Sequence, residues 1–247
     1  MKKILAVIFW LFLIQNFGFA ASTASCYDLT DTSLLLHMDG ADASTTFTDV
    51  TGKTINVTNN TQIDTGQSKF GGASGQFDGT DDLLDSATHG DFNIDTGDFT
   101  FDAWVRFTDQ LTESEMFRIG STSNLYLTAN AIAGRFDVNV VGATKSYTTL
   151  ATINTWYHIA LVRISGVVKF YLDGSQVSTD LAAAGDVAQG ALEIGSVPAT
   201  GIDLNGHLDE YRLTRIGIWD GTFTPPTAAY SECSAGAGGM LLTGVGK

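Results

Sequence analysis

Apolar and polar residues alternate with a period of two along much of this chain. Between Phe99 and Phe107, residues Phe99, Phe101, Ala103, Val105 and Phe107 form one face, and Thr100, Asp102, Trp104 and Arg106 form the other. That period belongs to a half-buried β-strand, whose successive side chains point to opposite sides. Shorter alternating runs recur over residues 117–136 and 138–147, interrupted by Ser-Thr-Ser-Asn, Gly134 and Gly142. Residues 157–164 and 167–172 read as strands joined at Ser165-Gly166, and Asp173-Gly174 marks another hairpin turn. A short strand covers residues 191–197. The last strand opens near Gly206 and runs through Leu208, Tyr211, Leu213 and Ile216, before Trp219-Asp220-Gly221 turns and Pro225-Pro226 ends regular pairing. Strict alternation along it puts His207, Asp209, Tyr211 and Leu213 on one side and Leu208, Glu210 and Arg212 on the other. Asp209 then faces a partly apolar side, where a buried carboxylate needs a partner or a metal. Many short strands and no long helical pattern predict an all-β, two-sheet antiparallel β-sandwich. The 27 glycines and 3 prolines suit strands joined by tight turns.

The chain ends read differently. Lys2 and Lys3 precede an apolar run from Ile4 to Ile14, with small residues for cleavage at Gly18-Phe19-Ala20 or Ser22-Thr23-Ala24. That is the pattern of a removable export signal over residues 1–24, and the run is shorter than the roughly 20 residues of a membrane span. Residues 25–233 form the expected domain, and the Gly/Ala-rich residues 234–247 a flexible tail. Losing Lys2 and Lys3, with no acid in the segment, takes the formal charge from −14 to −16. So acidic a chain will not hold phosphate backbones through its overall field, which argues against nucleic acid as a partner. The two cysteines, Cys26 and Cys233, flank the strands, and in an exported chain such a pair reads as one disulfide. Closing so long a loop stabilises by roughly 4–5 kcal/mol in the chain-entropy model. Acylation of Cys26 and two free thiols are the competing readings.

Four stretches carry a family resemblance, in order. They are LLLHMDG from Leu34, KFGGASGQFDGTDDLL from Lys69 with GDFTFDAWVRF from Gly97, WYHIALVR from Trp156 with KFYLDG from Lys169, and GHLDEYRLTRIGIWDGTFTPP from Gly206. Together they resemble the laminin-G-like domains of the concanavalin-A-like lectin/glucanase superfamily, over about Leu34 to Tyr230. The resemblance implies a jelly-roll sandwich. It also implies a structural calcium between the acids matching Asp39, at the end of the first strand, and Asp209, in the last. The Gly71–Gly75 loop is placed to add carbonyl ligands, and calcium accepts 6–8 such oxygens.

The same superfamily includes glycoside hydrolases and polysaccharide lyases. Hydrolases of the laminarinase kind align their acids as E-x-D-x-(x)-E on one strand, and retaining hydrolysis needs carboxyls about 5–5.5 Å apart. Here Asp209 and Glu210 are adjacent, position 212 is Arg, and no second acid follows. Glu113 and Glu115 have suitable parity but lie in a polar stretch read as loop. The expectation is therefore a non-enzymatic module, secreted or at a cell surface or in a periplasm, that binds a glycan or an extracellular protein. The second expectation is a structural subunit of a surface or virion assembly, and a divergent glycosidase or lyase is the third. Sugar rings stack on exposed aromatics, and Trp104, Tyr126, Trp156 and Trp219 are the available platforms. Trp104, sharing its face with Asp102 and Arg106, is the least core-like of them by pattern.

Overall fold

Two antiparallel sheets pack face to face, as the alternation requires. A computed structural model describes residues 23–109, 113–120, 124–130, 133–149, 152–177, 179–197 and 200–234. Residues 1–22 of the expected export segment (1–24) and residues 235–247 of the expected tail (234–247) lie outside the described residues; Thr23 and Ala24 are described and pack on the domain, so of the two expected cleavage positions only the one after Ala20 leaves them in the chain. A nine-stranded sheet runs Ser175–Gln176, Val167–Leu172, Trp156–Ile164, Phe99–Phe107, Asn205–Thr214, Ser74–Asp78 and Gln62–Asp64. Leu181–Ala182 pairs with Val167–Leu172, and Thr32–Leu36 with Asn205–Thr214. An eight-stranded sheet runs Ala143–Thr148, Arg135–Val140, Leu125–Asn130, Ser114–Ile119, Leu192–Val197, Leu83–Ser86 and Asn56–Thr58, with Ile202–Asp203 beside Leu192–Val197. The described residues from Thr23 to Cys233 belong to one compact unit.

The inward faces meet in a core of aromatic and branched side chains. Phe101 packs against Phe117 of the opposite sheet with ring centroids 4.2 Å apart, and against Tyr211 at 5.0 Å. The Phe99–Phe107 strand is buried on both faces, not one: Thr100, Asp102 and Trp104 are as enclosed as Phe99 and Phe101. The cause is the segment after the last strand, which folds back over the outer face. Trp219 and Phe223 stack at 4.0 Å, and Trp219 forms a second apolar cluster with Ala160, Val162 and Tyr171. Gly174 admits this segment, because a Cβ there would lie 1.9 Å from the Phe223 carbonyl oxygen. Trp219 is thus core and no platform.

A polar network is sealed beneath that cover. Arg212 Nε donates to Asp102 Oδ1 at 2.9 Å across the two central strands, with neither side chain exposed. Arg212 Nη1 donates to the carbonyls of Thr23 and Cys26 at 2.7 and 3.0 Å. Tyr230 Oη donates to Asp102 Oδ2, and Arg212 lies 3.9 Å over the Tyr230 ring. Cys26–Tyr27 and Ser231–Glu232 pair as parallel strands, and Cys26 and Cys233 form a disulfide. The cationic partner and hydrogen bonds hold the Asp102 carboxyl below its usual range despite complete burial.

Arg212→Met should cost about 3–5 kcal/mol in urea unfolding, because it leaves a buried carboxylate without its cation. A cost below about 1 kcal/mol would show instead that water replaces the guanidinium.

Candidate functional sites on the two outer faces

The last strand does not alternate strictly. Its register against Phe99–Phe107 shifts between Asp209 and Arg212, and Glu210 sits at φ 48°. This bulge keeps Leu208, Tyr211 and Leu213 in the core and turns His207, Asp209 and Arg212 to the outer face. Asp209 therefore does not share a side with Tyr211 and Leu213, as uninterrupted alternation had implied; one extra residue reverses the parity. Glu210 accepts from the Tyr230 amide at 2.9 Å and meets His37 Nδ1 at 2.8 Å.

Asp209 is fully buried. Its Oδ2 accepts from the Lys69 and Phe70 amides at 2.7 and 3.0 Å, and its Oδ1 has no hydrogen-bond partner. No arginine pairs with it among the described residues. Burial, with the charges of Glu210 and Asp39 adding to it, pushes its carboxyl up to about 7. The exposed Asp39 is also raised, first by desolvation. Gly71 closes over it: a Cβ at that glycine would lie 2.1 Å from both Asp39 carboxylate oxygens. A buried, half-satisfied carboxylate beside a second one, under a glycine loop, has the donor chemistry a hard cation takes. Among the described residues no group of three or more His, Cys, Asp or Glu side chains is placed to hold one ion, so other ligands would be carbonyls and water.

Two expected platforms lie close by. Register places His158, Trp104 and Asp209 in one cross-strand row, and Trp156, Arg106 and His207 in the next. Trp104 and Trp156 line a 520 Å³ cavity. Trp104 is only 6% exposed, against its pattern, because Lys69 and Phe70 cover it.

Tyr126 lies elsewhere, on the outer face of the eight-stranded sheet. There a polar row crosses seven strands in register: Thr144, Asn139, Tyr126, Arg118, Glu193, Asp85 and Asn56. The row borders an open trough of 570 Å³ lined by Tyr126, Arg118, Thr128, Asp137, Lys145 and Ser146, among others. Arg118 is buried beneath the Tyr126 ring, 5.1 Å from its centroid. Its Nη2 donates to Glu115 Oε2 at 3.0 Å, while Nε and Nη1 lack hydrogen-bond partners. Glu115 belongs to a strand and not to a loop, and burial pushes it up to about 8 despite Arg118.

Residues 78–226 match the laminin G profile described as the Concanavalin A-like lectin/glucanases superfamily. The chain belongs to this superfamily. No curated protein matches it. Among solved structures it is similar to the binding domain of Paraclostridial Mosquitocidal Protein 1, with a TM-score of 0.62 and 13% identity over 77% of this chain and 50% of that one. It is also similar to the botulinum neurotoxin serotype G binding domain, with a TM-score of 0.59 and 14% identity over 76% and 49%. The binding domain of botulinum neurotoxin DC, solved in complex with SialylT, gives a TM-score of 0.57 and 10% identity over 78% and 50%. The chain thus spans about half the length of these solved structures, and at such identities the likeness is one of superfamily fold.

Sequence reasoning weighs Glu115 but sets it aside as a loop acid, and does not single out Arg118. The signal is an acid and a base three residues apart in the SEMFRI stretch, whose bulge hides the shared face.

The titrations carry a sign. Glu115 and Asp209 hold protons more tightly folded than unfolded, so their contribution to stability is present below about 4 and lost as pH rises towards about 8 and about 7. In chelator, the melting temperature should fall between those limits. Glu115→Gln, which still accepts from Arg118, should flatten the upper part of that decline; an unchanged profile would show that Glu115 titrates normally.

Proposed function

We propose that this chain is a non-catalytic, exported binding module that takes a glycan in the trough of the eight-stranded sheet. The observation that carries this reading is Arg118, a buried guanidinium bordering an open polar trough, with Nε and Nη1 both without a hydrogen-bond partner and Nε 3.9 Å from the Glu193 carboxylate. Sugar hydroxyls both donate and accept. Arg118 suits their lone pairs, the Asp137 carboxylate suits their protons, and Tyr126 supplies an aromatic edge. Export is supported by the amino-terminal pattern and by the disulfide, which belongs to oxidising compartments. No described helix is long and apolar enough to cross a membrane.

One observation favours a second reading, glycoside hydrolysis: Glu115 is raised to about 8 beside Glu193, which is also raised. A glycan array followed by titration calorimetry separates the two. Tyr126→Ala and Arg118→Ala should each weaken binding about tenfold or more, the worth of one charged hydrogen bond or one stacking contact. Absence of saturable glycan binding favours a protein-binding or assembly role, and release of reducing ends that Glu115→Gln abolishes makes the chain an enzyme.

We also propose that Asp39 and Asp209, with carbonyls of the loop over residues 71–73, hold a structural calcium; Ser74 and Gly75, expected in that loop, belong to a strand. The ion would supply the charge that lets both carboxylates stay ionised. Asp209 Oδ1, buried and unpartnered, is the group that supports this. Binding only the folded state stabilises by about 2.7 kcal/mol at 100 times Kd. Chelator should lower the melting temperature by several degrees, calcium but not sodium should restore it, and Asp209→Asn should lose the response. Identical melting in chelator and calcium would sink the proposal.

A further inference from the structure

The cavity over the nine-stranded sheet has a resident occupant. Lys69 places its ammonium 3.7 Å from the Trp104 ring centroid and 5.7 Å from that of Phe70. Phe70 meets the same indole edge-on at 5.9 Å. Among the described residues no carboxylate lies within ion-pair distance of this ammonium, although the chain carries 27 acids and only 13 lysines and arginines. The ion pairs of Lys53 and Lys169, at 2.7 Å each, show what lysines do elsewhere on this surface. Lys69 instead rests on an aromatic face, held by the attraction of a cation for the ring quadrupole.

The walls suit a larger cation than the one that fills them. Half-buried Trp156, Pro225 and Pro226 also line this open cavity, and neither proline offers a backbone donor. The exposed Asp173 stands at the rim, where its other role is to accept from the His158 amide at 2.9 Å. At 520 Å³ the cavity far exceeds the volume of one ammonium head. The arrangement therefore offers two indoles, one phenyl ring and one carboxylate around a space that a flexible side chain enters from the neighbouring loop.

We propose that this cavity binds a quaternary alkylammonium group, of the choline or trimethyl-lysine type, which displaces Lys69 from the face of Trp104. The chemistry favours the exchange. A primary ammonium is compact and strongly hydrated, so it loses much of its hydration against the ring and regains that, with rotamer freedom, on leaving. A trimethylammonium head is more weakly hydrated and presents methyl groups to the aromatic lining. Asp173 faces the added charge at the mouth, and the acidic surface raises the local concentration of cations. This site is on the opposite sheet from the glycan trough and does not depend on it.

Choline chloride is the probe, titrated against the full chain in calcium-containing buffer and followed by calorimetry and tryptophan fluorescence. Saturable millimolar binding is expected for the wild type. Lys69→Ala, which removes the competitor, should tighten it severalfold, and Trp156→Ala should weaken it by a similar factor, the scale of one cation–π contact. The neutral isostere 3,3-dimethylbutan-1-ol should not compete. Sedimentation with phosphatidylcholine vesicles identifies the source: pelleting that free choline reverses places the group on a lipid, and no pelleting places it on a soluble ligand. Equal binding of the neutral isostere would overturn the proposal by making the cavity merely apolar. So would no saturation by wild type or Lys69→Ala at about 100 mM, far above the millimolar range expected of one contact. An affinity that Lys69→Ala leaves unchanged would overturn the displacement.

Discussion

The buried pair of Asp102 and Arg212 is the constraint on which the rest of the structure hangs. It joins the two central strands of the nine-stranded sheet on the face away from the main core. Removing two charges from water costs several kcal/mol each, and the pair is tolerable only if every remaining donor and acceptor is met. Asp102 has Arg212, His158 and Tyr230 around it. Arg212 has Asp102 and the carbonyls of Thr23 and Cys26. These requirements draw the first and last described segments over the sheet, where the disulfide closes them together. A second layer outside the sheet is thus the consequence of a charge pair within it.

The bulge at Glu210 decides what that layer can do. A non-glycine residue at positive φ stores strain that its surroundings must over-determine. Here the Tyr230 amide and His37 hold the Glu210 carboxylate. The shift delivers Asp209 to the outer face under the Lys69–Gly71 loop, beside Trp104. Without it, Asp209 and Tyr211 would share a face, and either the carboxylate would enter the core or the Tyr211 ring would leave it. The same residue therefore separates a buried carboxylate from the hydrophobic interior.

The two outer faces have diverged in character. The face of the nine-stranded sheet is covered by its own chain, and its openings are aromatic. That of the eight-stranded sheet carries a seven-strand row of polar residues, the complement of an apolar row pointing inward. Arg118 and Glu115 make this face unusual, since a guanidinium and a carboxyl are both buried there without full hydrogen bonding.

Much of this was legible in the chain before its fold was known. Period-two alternation in Phe99–Phe107 named the inward face correctly, because side-chain direction in a strand follows from local geometry alone. The flanking positions of Cys26 and Cys233 and the four ordered motifs pointed to a disulfide-closed jelly roll, and each of these is a local or pairwise signal. What failed depended on neighbours distant in sequence. Trp104 reads as an exposed platform until Lys69, Phe70 and the segment beyond Trp219 are placed over it. Asp209 and Tyr211 read as sharing a face until Glu210 bulges, and the reason for the bulge is a partnership with His37 and Tyr230. Glu115 reads as a loop acid until Arg118 and Glu193 stand beside it. Alternation reports what a strand does by itself. Burial, parity after a bulge and the charge state of an enclosed carboxyl are set by what the rest of the chain brings against it, and those contacts exist only once the sheets have closed.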